Sequence, residues 1–258
     1  MHIARYALGS AIHYGVQVSP GKWRRLHGLP FDTLQETKEI DEDHQIRLLC
    51  PLERPRIFGV GFNYAAHAKE TGHPLPSRPA MFMKPDGCAI GPEDSIVYPL
   101  EGQRVDFECE LAVVIGKIGR RIPVSQAHAH IFGVTCANDV SERPIQFSEM
   151  ESGCLLIGKG FDTFCPIGPV IATGLDYRQL NLSTRVNGQI RQSSNTSDLI
   201  FGVDELVSYV SQAITLRPGD VIITGTPEGI GPLNIGDTVE VEIEGIGVLR
   251  NRVIAERA

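Results

Sequence analysis

The chain has 258 residues, of which 42% are hydrophobic and 21% charged, and its formal net charge is −7. These values are typical of an ordinary globular protein with one large domain and at most a small additional unit. The negative charge argues against nucleic acid or an anionic membrane as the main partner, although local cations can still bind small anions. We find neither a signal-peptide pattern nor an apolar run near the ~20 residues of a membrane span. Six cysteines without a C-x-x-C pair predict reduced thiols and a cytoplasmic protein.

Residues 1–52 are expected to form a small unit ahead of a larger domain over residues 53–258. The stretches HIARYAL and IHYGVQV predict two strands joined through Gly9-Ser10, and KWRRLHG predicts a third. Residues 31–38 predict a short helix capped by Asp32, which gives the unit an α/β character. No constellation of residues in this unit suggests chemistry.

The stretch VDFECELAVVIG, residues 105–116, predicts a central strand. At a period of two, Glu108 and Glu110 point the same way, roughly 6.5–7 Å apart along the strand. The other positions are strongly apolar, so the strand should be buried on both faces. Two unpaired carboxylates there would cost several kcal/mol or become protonated, and a divalent cation between them removes that cost. The alternative is a solvated sheet face opposite basic residues.

A candidate general-base pair follows the strand predicted in RIFGVGFN, residues 56–63. The next residues predict one or two helical turns, capped by Asn63 and stopped by Gly72. On such a helix, His67 and Glu70 lie three positions apart and share a face, where the carboxylate would orient the imidazole. The alternative is an ordinary surface pair.

Two further strands are predicted to end in polar residues. AMFMKP, residues 80–85, ends in Lys84, which is either a rim residue or a cation of the site. GVTCANDV, residues 133–140, ends with Asp139, which suits a third metal ligand. If the segment after it is helical, Arg143 and Gln146 face the same side as Asp139.

The remaining elements continue the β-rich pattern. Residues 122–133 predict a helix stopped by Gly133, whose two histidines are interpreted as solvated. A Gly/Pro-rich loop over residues 158–169 carries Lys159, and Asn187-Gly188 is a strong hairpin signal. Residues 203–216 predict an amphipathic helix, and a strand from residue 221 leads into a glycine-rich loop.

Six of these stretches occur in an order that is typical of one family. They are GVGFNYAAHAKE, DFECELAVVIGK, GVTCANDVSERPIQ, GKGFDTFCPIGP, VNGQIRQ and TLRPGDVIITGTPEGIG. Together they resemble the fumarylacetoacetate hydrolase family over about residues 55–253. The N-terminal unit resembles the short extra domain that some bacterial members carry.

The resemblance implies a mainly β (α+β) fold, a mixed β-sandwich roll with the small N-terminal α/β subdomain, assembled as a homodimer. It implies a divalent cation held by Glu108, Glu110 and Asp139. That cation is usually Mg²⁺, with Mn²⁺ or Ca²⁺ as substitutes, and it acts as a Lewis acid toward an enolate. It also implies catalytic His67, Glu70 and Lys159 and substrate-binding Arg143, Gln146, Gly225 and Thr226. Lys84, from its position at the end of its strand, is expected to join the substrate-binding group.

Family members act on 2-oxo or 2,4-dioxo acids, so a small oxo acid is the expected substrate. The first hypothesis is Mg²⁺-dependent hydrolysis of a C–C bond in a 2,4-dioxo acid such as an acylpyruvate. The alternatives are isomerisation of a 2-hydroxyhepta-2,4-diene-1,7-dioate type of acid and decarboxylation of oxaloacetate. A non-catalytic binder is a third hypothesis, against which the His67/Glu70 pair argues, because a binder has no use for a base.

Three positions depart from the family's pattern. Val60 stands where some members have a fourth acidic ligand, so three carboxylates are expected to hold the metal. Residues 154–157 lack the aromatic residue that many members have before Lys159, and Pro144 replaces a common Asp. The last two changes lie near the expected tail of the substrate.

Overall fold

Strands dominate the computed structural model, which describes residues 1–31 and 33–257. The first ten strands are β1 (His2–Leu8), β2 (Ala11–Ser19), β3 (Lys22–His27), β4 (Gln35–Glu42), β5 (Arg47–Leu48), β6 (Ile57–Gly61), β7 (Ala80–Lys84), β8 (Ala89–Ile90), β9 (Ser95–Tyr98) and β10 (Val105–Phe107). The later strands are β11 (Cys109–Ile115), β12 (Ile131–Asn138), β13 (Ser141–Glu142), β14 (Cys165–Ala172), β15 (Asn181–Val186), β16 (Gln189–Asn195), β17 (Val221–Ile223), β18 (Gly231–Pro232), β19 (Thr238–Ile243) and β20 (Gly247–Ala255).

The helices are short and lie between the strands. They are α1 (Ala65–Glu70), α2 (Val124–Ala127), α3 (Arg143–Glu151), α4 (Ile157–Gly160) and α5 (Val203–Ala213). Short 3-10 turns cover Asp43–Gln45, Asp86–Cys88, His128–His130 and Thr196–Asp198. In the part of the chain that the structure describes, no helix combines the length and the apolar character needed to cross a bilayer.

One large sheet runs through the molecule in the order β4-β3-β2-β1-β14-β12-β11-β17-β6-β7, with β5 attached to β1 and β8 to β14. A five-stranded sheet has the order β16-β15-β19-β20-β9, and a three-stranded sheet has the order β13-β10-β18. Most neighbours are antiparallel, but β17 pairs with β6 and β14 with β8 in parallel within the large sheet, and β20 pairs with β9 in parallel within the five-stranded sheet. The sheet is therefore mixed, and the predicted mainly β fold class is confirmed.

Strand β11 is buried on both faces, as its composition predicts. Leu111, Val113 and Ile115 contribute to the core cluster that also contains side chains of β15, β19 and α5. Ala112 and Val114, which alternate with them, pack into the second core cluster. The strand therefore holds any carboxylate on it inside the protein.

The first fifty residues differ from the prediction in one element. The strands predicted for HIARYAL, IHYGVQV and KWRRLHG are present as β1, β2 and β3. The helix predicted for residues 31–38 is wrong, because Gln35–Glu42 forms β4 and pairs antiparallel with β3. The proposed cap, Asp32, lies outside the described residues. The described part of this N-terminal region is thus built of strands and one 3-10 turn, without the α-helix of the expected α/β subdomain.

The bounds of other strands and helices also differ from the prediction. The predicted strand at residues 105–116 breaks at Glu108, so that β10 joins the three-stranded sheet and β11 the large one. The helix predicted for residues 122–133 ends at His130, and Gly133 lies within β12. The hairpin prediction is confirmed: β15 and β16 are joined by Asn187 and Gly188, which have φ values of 52° and 77°.

Candidate active site

Three buried carboxylates meet where β10, β11 and β12 end or begin. Glu108 lies between β10 and β11, Glu110 lies in β11, and Asp139 directly follows β12. The antiparallel pairing of β11 with β12 brings them together, and the Asp139 amide donates to the Glu108 carbonyl at 2.9 Å. Each side chain offers an oxygen within 4.8 Å of the others, and none is more than 4% exposed. These are the three carboxylates that the sequence predicts as metal ligands, and together they could hold a metal ion.

Two lysines contact this cluster from different elements. Lys159, in the short helix α4 rather than in the predicted loop, donates from Nζ to Glu108 Oε2 and Asp139 Oδ2, each at 2.7 Å. Lys84, at the end of β7, donates to Asp139 Oδ1 and to the Val140 carbonyl. Lys84 is therefore a buried partner of a candidate ligand and not a rim residue.

Arg143 joins the cluster to a further carboxylate. Its Nη1 lies 2.6 Å from Glu108 Oε1 and 2.9 Å from Gln146 Oε1. Its Nε donates to Asp106 Oδ2 at 2.9 Å. Arg143 and Gln146 thus face one side of the first turn of α3, where Pro144 is tolerated, as predicted.

The pKa values of the two strand glutamates move in opposite directions. Burial raises the pKa of Glu108, but the charges of Lys159 and Arg143 outweigh burial and hold that pKa well below its usual range. Burial also raises the pKa of Glu110, and the charges of Asp139 and Glu108 raise it further. Glu110 Oε2 accepts a hydrogen bond from the Gly225 amide at 2.6 Å. Glu110 forms no ion pair among the described residues, and a hard divalent cation, which takes carboxylate oxygens as ligands, would neutralise it beside Glu108 and Asp139.

The His67/Glu70 pair forms on α1 as predicted. His67 Nδ1 lies 3.3 Å from Glu70 Oε2, and Glu70 Oε1 accepts from the Gly229 amide at 3.0 Å. The His67 side chain is buried, and its Nδ1 contact with Glu70 leaves Nε2 as the ring nitrogen for a ligand. Asn63 does not cap this helix, since Tyr64 occupies that position. The Asn63 amide instead donates to the carbonyls of Phe201 and Thr224.

The loop after β17 contacts the carboxylates through its backbone. Gly225 has a φ of 94°, and a Cβ there would lie 2.7 Å from the Asn63 Cβ, so only glycine fits. The Gly225 amide is engaged by Glu110 and is therefore not open to a substrate. Thr226 Oγ1 accepts from Gln192 Nε2 at 2.8 Å.

Most of the predicted site residues line one cavity of about 340 Å³. The eight that line it are His67, Glu108, Glu110, Asp139, Arg143, Gln146, Lys159 and Thr226. Glu70, Lys84 and Gly225 are not on its wall, and each contacts a residue that is. The rest of the wall is largely apolar and includes Phe62, Met81, Phe82, Phe147, Met150 and Leu155. Val60, the position without a fourth acid, also lines the cavity.

Glu149, which sequence reasoning missed, holds the turn that carries Lys159. Its carboxylate accepts from the amides of Leu156, Ile157 and Gly158 at 3.1, 2.6 and 3.0 Å. Burial raises the pKa of Glu149, and these three hydrogen bonds lower it below its ordinary value. A glutamate seven to nine residues before the amides of a glycine-rich turn gives no periodic signal, so only the folded chain reveals this contact.

Glu149→Ala is expected to lower turnover about tenfold, because the turn at residues 156–158 loses its acceptor and Lys159 loses its fixed position. Glu151→Ala, at an exposed position of the same helix, is the matched control and should leave turnover unchanged. Steady-state kinetics of both variants would check this. Equal turnover in the two variants would show that Glu149 does not position Lys159.

Comparison with known proteins agrees with this geometry. The sequence model of the family described as "Fumarylacetoacetate (FAA) hydrolase C-terminal" matches residues 56–254, and one described as "Rv2993c-like, N-terminal" matches residues 1–51. The first match covers most of the chain. The protein belongs to the fumarylacetoacetate hydrolase family and is an enzyme of that family.

The similar proteins include one named as a tautomerase and two named as isomerases. Oxaloacetate tautomerase FAHD2A, mitochondrial, from Bos taurus is 45% identical over 81% of this chain and 70% of its own length. The structure of 5-carboxymethyl-2-hydroxymuconate delta-isomerase from Mycobacterium smegmatis has a TM-score of 0.92 and 39% identity, over 99% of this chain and 100% of the other. The structure of 2-hydroxyhepta-2,4-diene-1,7-dioate isomerase from Mycobacterium marinum has a TM-score of 0.91 and 38% identity, over 100% of both chains.

Proposed function

We propose that this protein is a Mg²⁺-dependent isomerase that moves a proton between carbon and oxygen in a small dicarboxylic 2-oxo acid. The observation that carries the proposal is the placement of His67 on the wall of the same cavity as the three buried carboxylates. One cavity thereby combines a group that transfers protons with a site for a cation. The names of the three relatives support the proposal, since each describes an isomerase or tautomerase of a 2-oxo acid, or of its 2-hydroxy enol form, with at least two carboxylates.

Glu108, Glu110 and Asp139 would hold the Mg²⁺, for which Mn²⁺ or Ca²⁺ could substitute, and the bound ion would polarise the 2-oxo group as a Lewis acid. His67 Nε2 would take the proton from the carbon beside the carbonyl and return it, while Glu70 holds the ring through Nδ1. Arg143 and Gln146 would orient the acid, and Lys159 would favour negative charge developing on its oxygen. The apolar wall would limit the access of water.

Hydrolysis of a C–C bond in a 2,4-dioxo acid is the second candidate. It is favoured by the volume of the cavity, which at about 340 Å³ has room for an acyl group beyond a four-carbon acid. In that reaction His67 would take a proton from water instead of carbon. Oxaloacetate decarboxylation is a third reaction that the same site could support. The family resemblance also supports a homodimer in the cytoplasm.

We propose that residues 1–51 take no part in the chemistry. The two family matches divide the chain between residues 51 and 56, and every side chain on the cavity wall comes from residue 60 or later. The large sheet nevertheless continues from β14 into β1, so the two matched regions share one sheet.

The proposed isomerisation is tested by following hydrogen–deuterium exchange at carbon 3 of oxaloacetate by NMR, with Mg²⁺ and with EDTA. Faster exchange than in buffer, dependent on the metal, is the expected result. The same protein is assayed with acetylpyruvate for C–C cleavage. Cleavage of acetylpyruvate without catalysed exchange would replace isomerisation by hydrolysis, and no activity on either acid would overturn both.

A further inference from the structure

A second histidine, His73, is held beside the cavity by the way α1 ends. The Gly72 amide donates to the Lys69 carbonyl at 3.2 Å, and the His73 amide donates to the Ala68 carbonyl at 2.8 Å. Gly72 has a φ of 74°, which completes a Schellman motif at the C-terminus of the helix. The backbone of His73 is therefore fixed relative to the helix that carries His67.

The His73 ring shares an aromatic surface with His67. It stacks on Phe62 with ring centroids 4.2 Å apart and an angle of 26° between the planes. The His67 ring lies against the same phenyl ring at 6.2 Å and 19°. All three side chains line the cavity, so His67, Phe62 and His73 form one continuous part of its wall.

The two nitrogens of the His73 ring are not equivalent. Nδ1 is enclosed by protein and has no hydrogen-bond partner within residues 1–31 and 33–257. A buried N–H group without an acceptor is costly, so the ring proton belongs on Nε2. His73 therefore offers an N–H donor, and no acceptor, to a ligand in the cavity.

The cationic side chains on the wall lie at the acidic cluster, and among the described residues Arg143 Nη2 is their one donor atom without a hydrogen-bond partner. Lys159 and Arg143 are bound to carboxylates of the cluster, and His67 is paired with Glu70. These groups, with the cation, suit the carboxylate and the 2-oxo group at one end of a substrate. The opposite end would meet the apolar wall, where Phe62, Met81 and Phe147 offer no side-chain hydrogen bond.

We propose that His73 is a specificity-determining residue, which donates from Nε2 to the second carboxylate of a dicarboxylic 2-oxo acid. The proposal rests on the proposed function, because it assumes that the first carboxylate and the oxo group lie at the acidic cluster. Hydrogen bonds to charged acceptors are stronger than those to neutral ones, so this contact separates dicarboxylic from monocarboxylic acids.

The test uses oxaloacetate and 2-oxobutanoate, which share a four-carbon skeleton and differ in the second carboxylate. His73→Phe keeps a ring stacked on Phe62 and removes the donor, whereas His73→Gln keeps an N–H at a similar reach. His73→Phe should lower kcat/KM for oxaloacetate by roughly 10- to 100-fold, mainly by raising KM. The kcat/KM for 2-oxobutanoate should change by less than about twofold. His73→Gln should keep most of the wild-type kcat/KM for oxaloacetate.

Calorimetric titration of the same two acids into the Mg²⁺-loaded proteins separates this proposal from the proposed function. If the wild-type protein turns over neither acid, the proposed function fails, and the ratio of the two affinities still reports the contribution of His73. An equal fall in the affinities for both acids in His73→Phe would show that His73 has only a structural role. Any result in which the ratio of the two affinities is the same in His73→Phe as in the wild type would overturn the proposal.

Discussion

Replacing His67 by alanine is expected to lower the rate of proton transfer at carbon by about 10²–10⁴-fold, the usual cost of losing a general base. Mg²⁺ affinity should stay nearly intact, because His67 is not one of the three clustered carboxylates. Glu70→Gln should have a smaller effect in the same direction, since glutamine keeps the length of the side chain and one of the two oxygens that contact Gly229 and His67. Deuterium exchange and isothermal titration with Mg²⁺ measure the two quantities separately.

Decarboxylation of oxaloacetate by the same variants provides an internal control. Loss of CO₂ requires no base to remove a proton, so any such side activity should suffer less than exchange in His67→Ala. The comparison uses one protein and one metal, so a folding defect would lower both activities together. If both activities fall by the same factor with Mg²⁺ binding unchanged, His67 serves a step common to both. If neither falls, the His67/Glu70 pair is an ordinary pair and the mechanism is wrong.

Glu110→Gln is expected to abolish activity and to weaken Mg²⁺ binding by at least about 10–100-fold, the loss that even an outer-shell partner of a metal usually causes. In EDTA the variant should be at least as stable as the wild type. Burial, together with the charges of Asp139 and Glu108, raises the pKa of Glu110, so its ionised form is unfavourable in the metal-free protein. The amide removes that charge while keeping an oxygen for the Gly225 amide.

Isothermal titration and thermal unfolding in EDTA measure these two effects of Glu110→Gln. Glu240→Gln, at a half-buried glutamate in β19 outside the cavity, is the matched control and should change neither quantity. Wild-type Mg²⁺ affinity in Glu110→Gln would contradict the assignment of this residue as a ligand. A marked fall in stability without metal would show instead that Glu110 serves the fold.

The sequence predicted the features that depend on local spacing. The two-residue period of β11 places Glu110 and the buried apolar positions correctly, because alternation along a strand is fixed by backbone geometry. The three-residue spacing on α1 brings His67 and Glu70 together for a similar reason. Asn187 and Gly188 specify their hairpin through the positive φ values that the turn requires.

The features that the sequence did not reveal depend on distant parts of the chain. Gln35–Glu42 has a helix-like composition but becomes a strand because β3 offers it a hydrogen-bonding edge. Asn63 bonds to carbonyls more than 130 residues away instead of capping α1. The inward position of Lys84 becomes evident only when β7 lies beside the end of β12. The cavity contacts of His73 likewise depend on the packing of Phe62.

The way the large sheet ends has a consequence for the behaviour of the protein at high concentration. Strand β14, with the apolar sequence CPIGPVIA, pairs with β12 on one side, and β8 and β1 each cover part of its other side. Through β1, β2 and β3 the sheet is extended to β4, whose sequence QETKEIDE places charged side chains along the outermost strand. Exposed apolar strands recruit other chains into aggregates, and charges on an edge oppose this. The N-terminal strands thus cover part of the apolar edge of β14 and end the sheet on a charged strand, so we expect them to oppose aggregation of the protein at high concentration.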